Sequence, residues 1–228
     1  MSVNHSEISS FIWNVCDDVL RGLFKPHEYG DIILPFTVLR RLDCVLEEHK
    51  DTVINLHNEF KSKVEDPTPI ILNKVNTSFF NHSQFDLNRL KQDPSNIQMN
   101  LQNYLGGFSN NVLEVVENFQ LEKPIEKLNK NNRLYQFIEK FSEIDLHPDV
   151  VSNHQMGQVF EELLRKFSEM SNETSGEHYT PRDVVRLLVS LVFSKDKDEL
   201  QGEGKVRSIF DPSCGTGGML TIGKVWVQ

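Results

Sequence analysis

Apolar residues recur every three or four positions through most of the first 150 residues, which is the spacing of one face of an α-helix. The first stripe runs over residues 8–20, and Gly22 can end it. A second stripe begins after Gly30, where we expect Pro35 to be tolerated near the helix start, since first-turn N–H groups lack intrahelical partners. Weaker helical patterns follow later: 112–119, 134–141 and 156–170. The sequence therefore predicts a mainly α-helical domain over residues 1–150.

The pattern changes in the last third of the chain. Thr180 and Pro181 form a strong helix start, and the apolar segment 184–193 that follows is typical of a helix buried against a sheet. The short segment 206–210, rich in β-branched and aromatic residues, predicts a strand, and a glycine-rich turn then leads into another helix. Helix, strand, turn and helix in this order open an α/β nucleotide-binding domain, which we place at 151–228.

Charge and cysteine content exclude several classes of protein. The chain has 33 acidic and 24 basic side chains, a net charge of −9, so it cannot hold a polyanion through its overall field. Three widely spaced cysteines are too few for a disulfide framework or a CxxC zinc site, so we predict no metal site and a reducing, cytoplasmic location. No signal peptide and no run of 18 apolar residues is present in the sequence.

The segment Asp211-Pro-Ser-Cys-Gly-Thr-Gly-Gly218 is the most informative stretch for function. Its glycines let the backbone approach a ligand, and the next helix offers free N–H groups. A dinucleotide fingerprint would need glycine where Leu220 stands, and the phosphate-loop pattern over 218–225 ends in Val225, which cannot ligate Mg²⁺. The residues that follow Gly218 are also expected to be helix rather than loop. We therefore predict a turn that binds a different cofactor.

Three sequence blocks together resemble one family. Asp211–Gly218 resembles the S-adenosylmethionine motif of amino-group DNA methyltransferases, and 176–182 is similar to the aromatic-Thr-Pro segment that lines the same pocket in N6-adenine methyltransferases. Residues 28–43 are similar to the helical domain of the modification subunit of type I restriction–modification systems. The chain is identified as the N-terminal portion of such a subunit.

The resemblance implies a fold, a cofactor and a set of site residues. The fold is a mainly α N-terminal helical domain followed by the start of an α/β Rossmann-like methyltransferase domain, and the cofactor is S-adenosyl-L-methionine. The implied cofactor-binding residues are Glu177, His178, Tyr179, Thr180, Pro181, Arg182, Asp211, Pro212, Gly215, Thr216, Gly217 and Gly218. The glycine turn would contact the methionine end, with Asp211 near its ammonium group. Helix capping equally explains Thr180 and Pro181, and loop packing explains His178 and Tyr179.

The resemblance also implies an activity and partners. The family transfers a methyl group to N6 of adenine in DNA, and the amino group is held by an Asn-Pro-Pro-aromatic motif. No two prolines are adjacent here, so we assign no catalytic residue in this chain and expect it to be incomplete and inactive alone. The implied partners are DNA, the specificity and restriction subunits and a second modification subunit. No membrane partner is expected.

Two alternatives to the methyltransferase interpretation remain open. One is a non-catalytic helical module that docks a specificity subunit and DNA, and the other is a phosphate-loop NTPase that depends on Lys224. Arg40 and Arg41 either contact DNA phosphates or a partner subunit, or lie on a solvated helix face.

Overall fold

In the computed structural model, residues 5–170, 180, 182–200, 208–214 and 217–227 are described. Their regular structure is helical throughout. The α-helices of these residues are α1 (His5–Val15), α2 (Gly30–Leu46), α3 (Lys50–Phe60), α4 (Thr68–Val75), α5 (Leu87–Leu90), α6 (Ile97–Leu105), α7 (Asn110–Asn118), α8 (Glu122–Lys130), α9 (Leu134–Glu143), α10 (Asn153–Met170), α11 (Arg182–Phe193), α12 (Lys197–Leu200) and α13 (Gly218–Val227). The chain divides into two compact units, Met1–Leu163 and Leu164–Gln228.

The first two helices follow the apolar stripes of the sequence. After α1 the chain continues in a π-helical turn over Cys16–Leu20 and then reaches Gly22, whose φ of 77° is left-handed. The prediction that Gly22 ends this helical segment is confirmed, because such a φ costs glycine little. Pro35 lies in the second turn of α2 and not in its first. The helix begins earlier than the position of Pro35 suggested, and its many buried side chains maintain it through the proline.

An aromatic cluster in the core of the first unit joins α2 and α9. Phe36 packs edge-on against Phe137 with ring centroids 4.8 Å apart, and Phe141 lies 4.9 Å from Phe137. All three rings are fully buried. Burying a side chain of this size contributes about 1.5–3 kcal/mol, so these rings hold two helices together that are far apart in sequence.

A smaller cluster joins α3 and α4, where Val53, Ile71, Val75 and Phe80 are buried together. From α4 to α6 the chain forms short helices joined by loops. The irregular segment 144–152 is the connector between α9 and α10. The predicted mainly helical N-terminal region is therefore confirmed.

The second unit contains α11 packed against α13. The rings of Phe193 and Trp226 meet edge-on at 5.4 Å, and a Cβ on Gly223 would lie 3.1 Å from Ile209 Cδ1. Gly223 thus allows α13 to lie close to Ile209 and Phe193, and a side chain at position 223 would push these two residues away.

The predicted strand over 206–210 is absent from its described part, because residues 208–210 are irregular, while 206 and 207 lie outside the described residues. A single strand needs a neighbour to satisfy its backbone hydrogen bonds, and the described residues provide no such neighbour. The expectation that α11 is buried against a sheet is also wrong for the described residues. Val185 and Val189 are buried, but five apolar residues are exposed: Val184, Leu187, Leu188, Leu191 and Val192.

The predicted boundary at residue 150 stays a prediction, since α10 spans the division between the two units. Among the described helices, none is both long and apolar enough to cross a membrane.

Candidate cofactor-binding turn

The segment Asp211–Cys214 forms a turn that the side chain of Asp211 stabilises. The backbone N–H of Ser213 donates to Asp211 Oδ1 at 3.0 Å, which is a typical Asx turn. Gly217 N then donates to Cys214 O at 2.8 Å, and Gly217 has a φ of 77°. This left-handed conformation favours glycine, and no atom of the described residues lies within 4 Å of a Cβ placed there, so the described turn is open on that side.

The helix after the turn, α13, begins at Gly218. A described hydrogen bond into α13 runs from Thr221 N to Gly217 O at 3.0 Å, and Thr221 Oγ1 donates to the same carbonyl. The N–H groups of the first turn of a helix have no intrahelical acceptors and lie at the positive end of its dipole. The open glycine turn therefore leads directly into a set of donors for a polar ligand.

The starts of α11 and α13 are close together. A Cβ on Gly218 would lie 3.7 Å from Val185, which is in the first turn of α11. The two predicted cofactor blocks are thus adjacent at their helical ends, although they are about 30 residues apart in sequence.

The structure describes half of the twelve predicted cofactor residues. Thr180 is exposed, Arg182 begins α11, Asp211 is partly buried, Pro212 is exposed, and Gly217 and Gly218 form the end of the turn. The other six lie outside the described residues: Glu177, His178, Tyr179, Pro181, Gly215 and Thr216. In the described part of the chain, no cluster of His, Cys, Asp and Glu suits a metal ion.

Comparison with sequence models of known families shows the family to which the chain belongs. The sequence model of the HsdM N-terminal domain matches residues 8–141, which is more than half of the 228 residues, and that of the N-6 DNA methylase family matches residues 151–228. The chain belongs to the methylase subunits of type I restriction enzymes. The two matched regions correspond to the N-terminal portion of such a subunit.

Two curated relatives are methylase subunits of this kind. The type I restriction enzyme MjaIX methylase subunit of Methanocaldococcus jannaschii is 25% identical over 224 residues, which cover 93% of this chain and 38% of that subunit. The type I restriction enzyme EcoEI methylase subunit of Escherichia coli is 40% identical over 87 residues, covering 38% of this chain and 15% of that subunit. The chain therefore spans well under half the length of either relative.

The phosphate-loop alternative fails in this methylase subunit. Residues Gly218 to Lys224 lie within α13, so the segment that would have to wrap a phosphate is helix, as the sequence analysis expected. A phosphate loop needs backbone N–H groups that turn toward the ligand, and the interior N–H groups of a helix are already paired.

The two arginines of α2 have a structural role. Arg40 Nε donates to Ile144 O at 2.7 Å, and the side chain of Arg40 is buried. Arg41 donates to the carbonyls of Leu146 and Val151 and, at 2.8 Å, to Asn153 Oδ1. The alternative of a solvated helix face is wrong, because these guanidinium groups bind the connector that leads into α10.

Sequence reasoning missed a buried polar network in the first unit. Asp43 Oδ2 accepts the N–H of Leu87 at 2.8 Å, and Lys50 Nζ donates to Phe85 O at 2.6 Å and Asn81 Oδ1 at 3.3 Å. Burial raises the pKa of Asp43 to about 6 and lowers that of Lys50 to about 8, because both charged forms are desolvated.

Tyr104 belongs to this network as well. Burial, followed by the charge of Asp43, raises the pKa of its phenol well above the usual value. Its hydroxyl has no partner with hydrogen-bond geometry among the described residues. Only one signal could have identified this network: Asp43 lies seven residues after Phe36, on the buried face of α2.

Proposed function

We propose that the chain is the N-terminal portion of a modification subunit that transfers a methyl group from S-adenosylmethionine to N6 of adenine in DNA. The proposal is carried by the open glycine turn at Gly217, which leads into the α13 donors and lies within the region that matches the N-6 DNA methylase family. Membership of that family supplies the reaction, and the turn supplies a suitable binding geometry.

The described residues suit the cofactor. Gly217 leaves open space where the methionine end of the cofactor can approach, and the first N–H groups of α13 can donate to its carboxylate. One oxygen of Asp211 accepts from Ser213, which leaves the other oxygen for an ammonium group. We propose the same role for the six undescribed residues as the sequence resemblance implies: Glu177, His178, Tyr179, Pro181, Gly215 and Thr216.

The chemistry of the reaction requires precise placement. The cofactor, when bound, supplies the methyl group, and the lone pair of the adenine amino group is delocalised into the ring. The target base must leave the helical stack so that this nitrogen lies in line with the methyl group. This chain contributes cofactor binding. No residue of this chain is assigned to hold the target adenine.

We propose that the chain acts with partners in the cytoplasm: DNA, a specificity subunit, a restriction subunit and a second modification subunit. Its net charge of −9 supports this division of labour, since an acidic chain gains little from a general attraction to DNA. Sequence recognition would then belong to the specificity subunit.

A matched pair of glycine variants tests cofactor binding. Gly217 and Gly22 share a φ of 77° and an open Cβ position, so Ala substitution has a similar backbone cost at both sites. Calorimetric titration with S-adenosylmethionine should show affinity reduced at least tenfold in Gly217→Ala and unchanged in Gly22→Ala. No heat with wild-type protein, or equal losses in both variants, would contradict the proposed cofactor site.

The alternative of a docking module without catalysis is favoured by one observation, the self-contained aromatic core of the first unit. Both functions can be separated in one experiment. Gly217→Ala should still be retained by an immobilised specificity subunit while it loses cofactor binding. Retention of wild-type protein without any cofactor binding would favour docking alone.

A further inference from the structure

A polar cleft in the first unit has no role in the proposed cofactor site. It has a volume of about 400 Å³ and lies where α3, the loop before α5 and the end of α6 meet. We name it the His57–His82 cleft. Its polar lining includes His57, Lys61, His82, Gln84 and Asn103.

The two imidazoles are stacked at the cleft. Their ring centroids are 4.0 Å apart and their planes differ by 17°. The ring of His57 comes from α3 and that of His82 from the loop, so the pair joins two segments that have no shared sequence motif.

Hydrogen bonds to Gly107 and to the end of α6 hold the wall of the cleft that carries His82 in place. The amide N–H of His82 donates to Gly107 O at 2.8 Å, and the buried Asn81 donates to Tyr104 O at 2.9 Å. Ser83 Oγ donates to Asn103 Oδ1 at 2.6 Å, which uses the acceptor of that amide and leaves its NH₂ group as a donor. A Cβ on Gly107 would lie 2.7 Å from Asn81 Oδ1, so this close packing requires glycine. The cleft is therefore a preformed surface and not a mobile loop end.

The charges around the pair are of one sign. Among the residues that the structure describes, no aspartate or glutamate lines the cleft, although the chain has 33 acidic residues. Burial lowers the pKa of His82 to about 4, and the charges of His57, when protonated, Lys50 and Lys61 add to the effect. Burial and then Lys61 lower the pKa of His57. Lys50 comes from the first turn of α3, and no charged residue of α6 lines the cleft.

From this arrangement we propose that the His57–His82 cleft binds a phosphate oxyanion, held by both imidazoles, Lys61 and the Asn103 amide. An anion here would replace repulsion by attraction and would raise the pKa of both histidines, so that binding takes up protons. The volume accommodates a phosphate group with part of its ester. The phosphate comes from the DNA backbone or from free phosphate, and DNA as the source rests on the proposed function.

Histidine NMR spectra of the complete chain test the proposal directly. The imidazole resonances of His57 and His82 are followed from pH 4 to pH 8 with no addition, with inorganic phosphate, or with a short DNA duplex. We expect at least one addition to raise the pKa of His82 by one unit or more. A response to phosphate alone identifies free phosphate, and a response to the duplex identifies the DNA backbone. Unchanged pKa values with both additions overturn the proposal.

Two lysines of neighbouring position supply a matched control. Lys61 lines the cleft, whereas Lys63 lies two residues further on and pairs with Glu59. Both side chains are exposed, so neither variant threatens the fold. Lys61→Gln should weaken the phosphate-induced shift at least threefold, and Lys63→Gln should leave it unchanged. Equal effects would show general charge attraction and overturn the assigned cleft. Cofactor calorimetry is independent of these signals, so failure of either proposal can be recognised separately.

Discussion

The two units of the chain differ in how their helices use apolar side chains. In the first unit, apolar faces meet and exclude water, as in the contact of Phe36 with Phe137. In the second, α11 has the more continuous apolar sequence, yet Leu191 is 62% exposed and Phe210 is 86% exposed. The comparison teaches that periodicity determines where a helix forms, whereas burial depends on a partner surface that periodicity does not supply.

The largest expected effect comes from removing an aromatic ring of the first unit. Phe137→Ala leaves a cavity beside Phe36 and Phe141, and we expect it to lower the free energy of unfolding by about 3–5 kcal/mol. Phe210→Ala is the control in the second unit and should change it by less than about 0.5 kcal/mol, because the ring is already in solvent. Urea unfolding monitored by circular dichroism measures both. Similar losses in the two variants would remove the contrast between the units.

A second contrast concerns arginines. Arg41→Ala removes charge-assisted hydrogen bonds to Leu146, Val151 and Asn153, and we expect a loss of about 2–3 kcal/mol in unfolding free energy. The control is Arg186→Ala on α11, whose exposed pair with Asp183 at 3.5 Å should contribute less than about 0.5 kcal/mol. Urea unfolding again provides the measurement. An Arg41→Ala protein as stable as wild type would show that the connector needs no such support.

The residues where sequence reasoning succeeded and failed have a common explanation. Helices α1, α2, α9, α10 and α11 follow from local spacing, and Gly22 and Gly217 follow from the conformations that glycine permits. The roles of Arg41, the Asp43–Lys50 network and the stacked histidines depend on contacts between residues far apart in the chain. No local pattern specifies such contacts, because each side chain has the same sequence neighbours whether or not the distant partner is present.

The candidate cofactor turn lies between these cases. Its glycines and the α13 helix were predictable from the spacing of residues 211–218, and Val185 against Gly218 brings the two cofactor blocks together. The strand before the turn was not obtained at residues 208–210, because a strand depends on hydrogen bonds from a neighbour and the turn does not. The alignment with the Methanocaldococcus jannaschii subunit covers 38% of that subunit. The sheet expected for this family therefore stays a prediction.

A smaller effect is expected from pH in the first unit. The folded state lowers the pKa of His82 to about 4 from its ordinary 6.5, so between these values the unfolded state binds more protons. Stability from this group is therefore present above pH 6.5 and is lost as the pH falls toward 4, by about 1 kcal/mol once solvent screening of a partly exposed ring is included.

His82→Gln isolates this pH effect. Asp43, with its pKa raised to about 6, acts in the opposite direction over about pH 4–6, since its contribution is lost as the pH rises, but it acts equally in both proteins. Urea unfolding at several pH values should show a smaller loss in His82→Gln than in wild type, and His27→Gln, at an exposed site, should behave as wild type. Parallel pH profiles for all three proteins would contradict the assigned role of His82.

The smallest effect is expected on the exposed side of α11, and it sharpens the contrast between the units most directly. Leu191 and Val189 lie on the same helix, but Val189 is buried and Leu191 faces solvent. Val189→Ala should lower the unfolding free energy by about 1–2 kcal/mol, since it removes packing against its neighbours, whereas Leu191→Gln should change it by less than about 0.5 kcal/mol. Urea unfolding followed by tryptophan fluorescence in a Trp13→Phe background reads this region, because the remaining Trp226 packs on Phe193 at the end of α11. A loss from Leu191→Gln as large as that from Val189→Ala would mean that another surface covers this face in solution, and the difference between the units would then concern the source of the partner surface and not its presence.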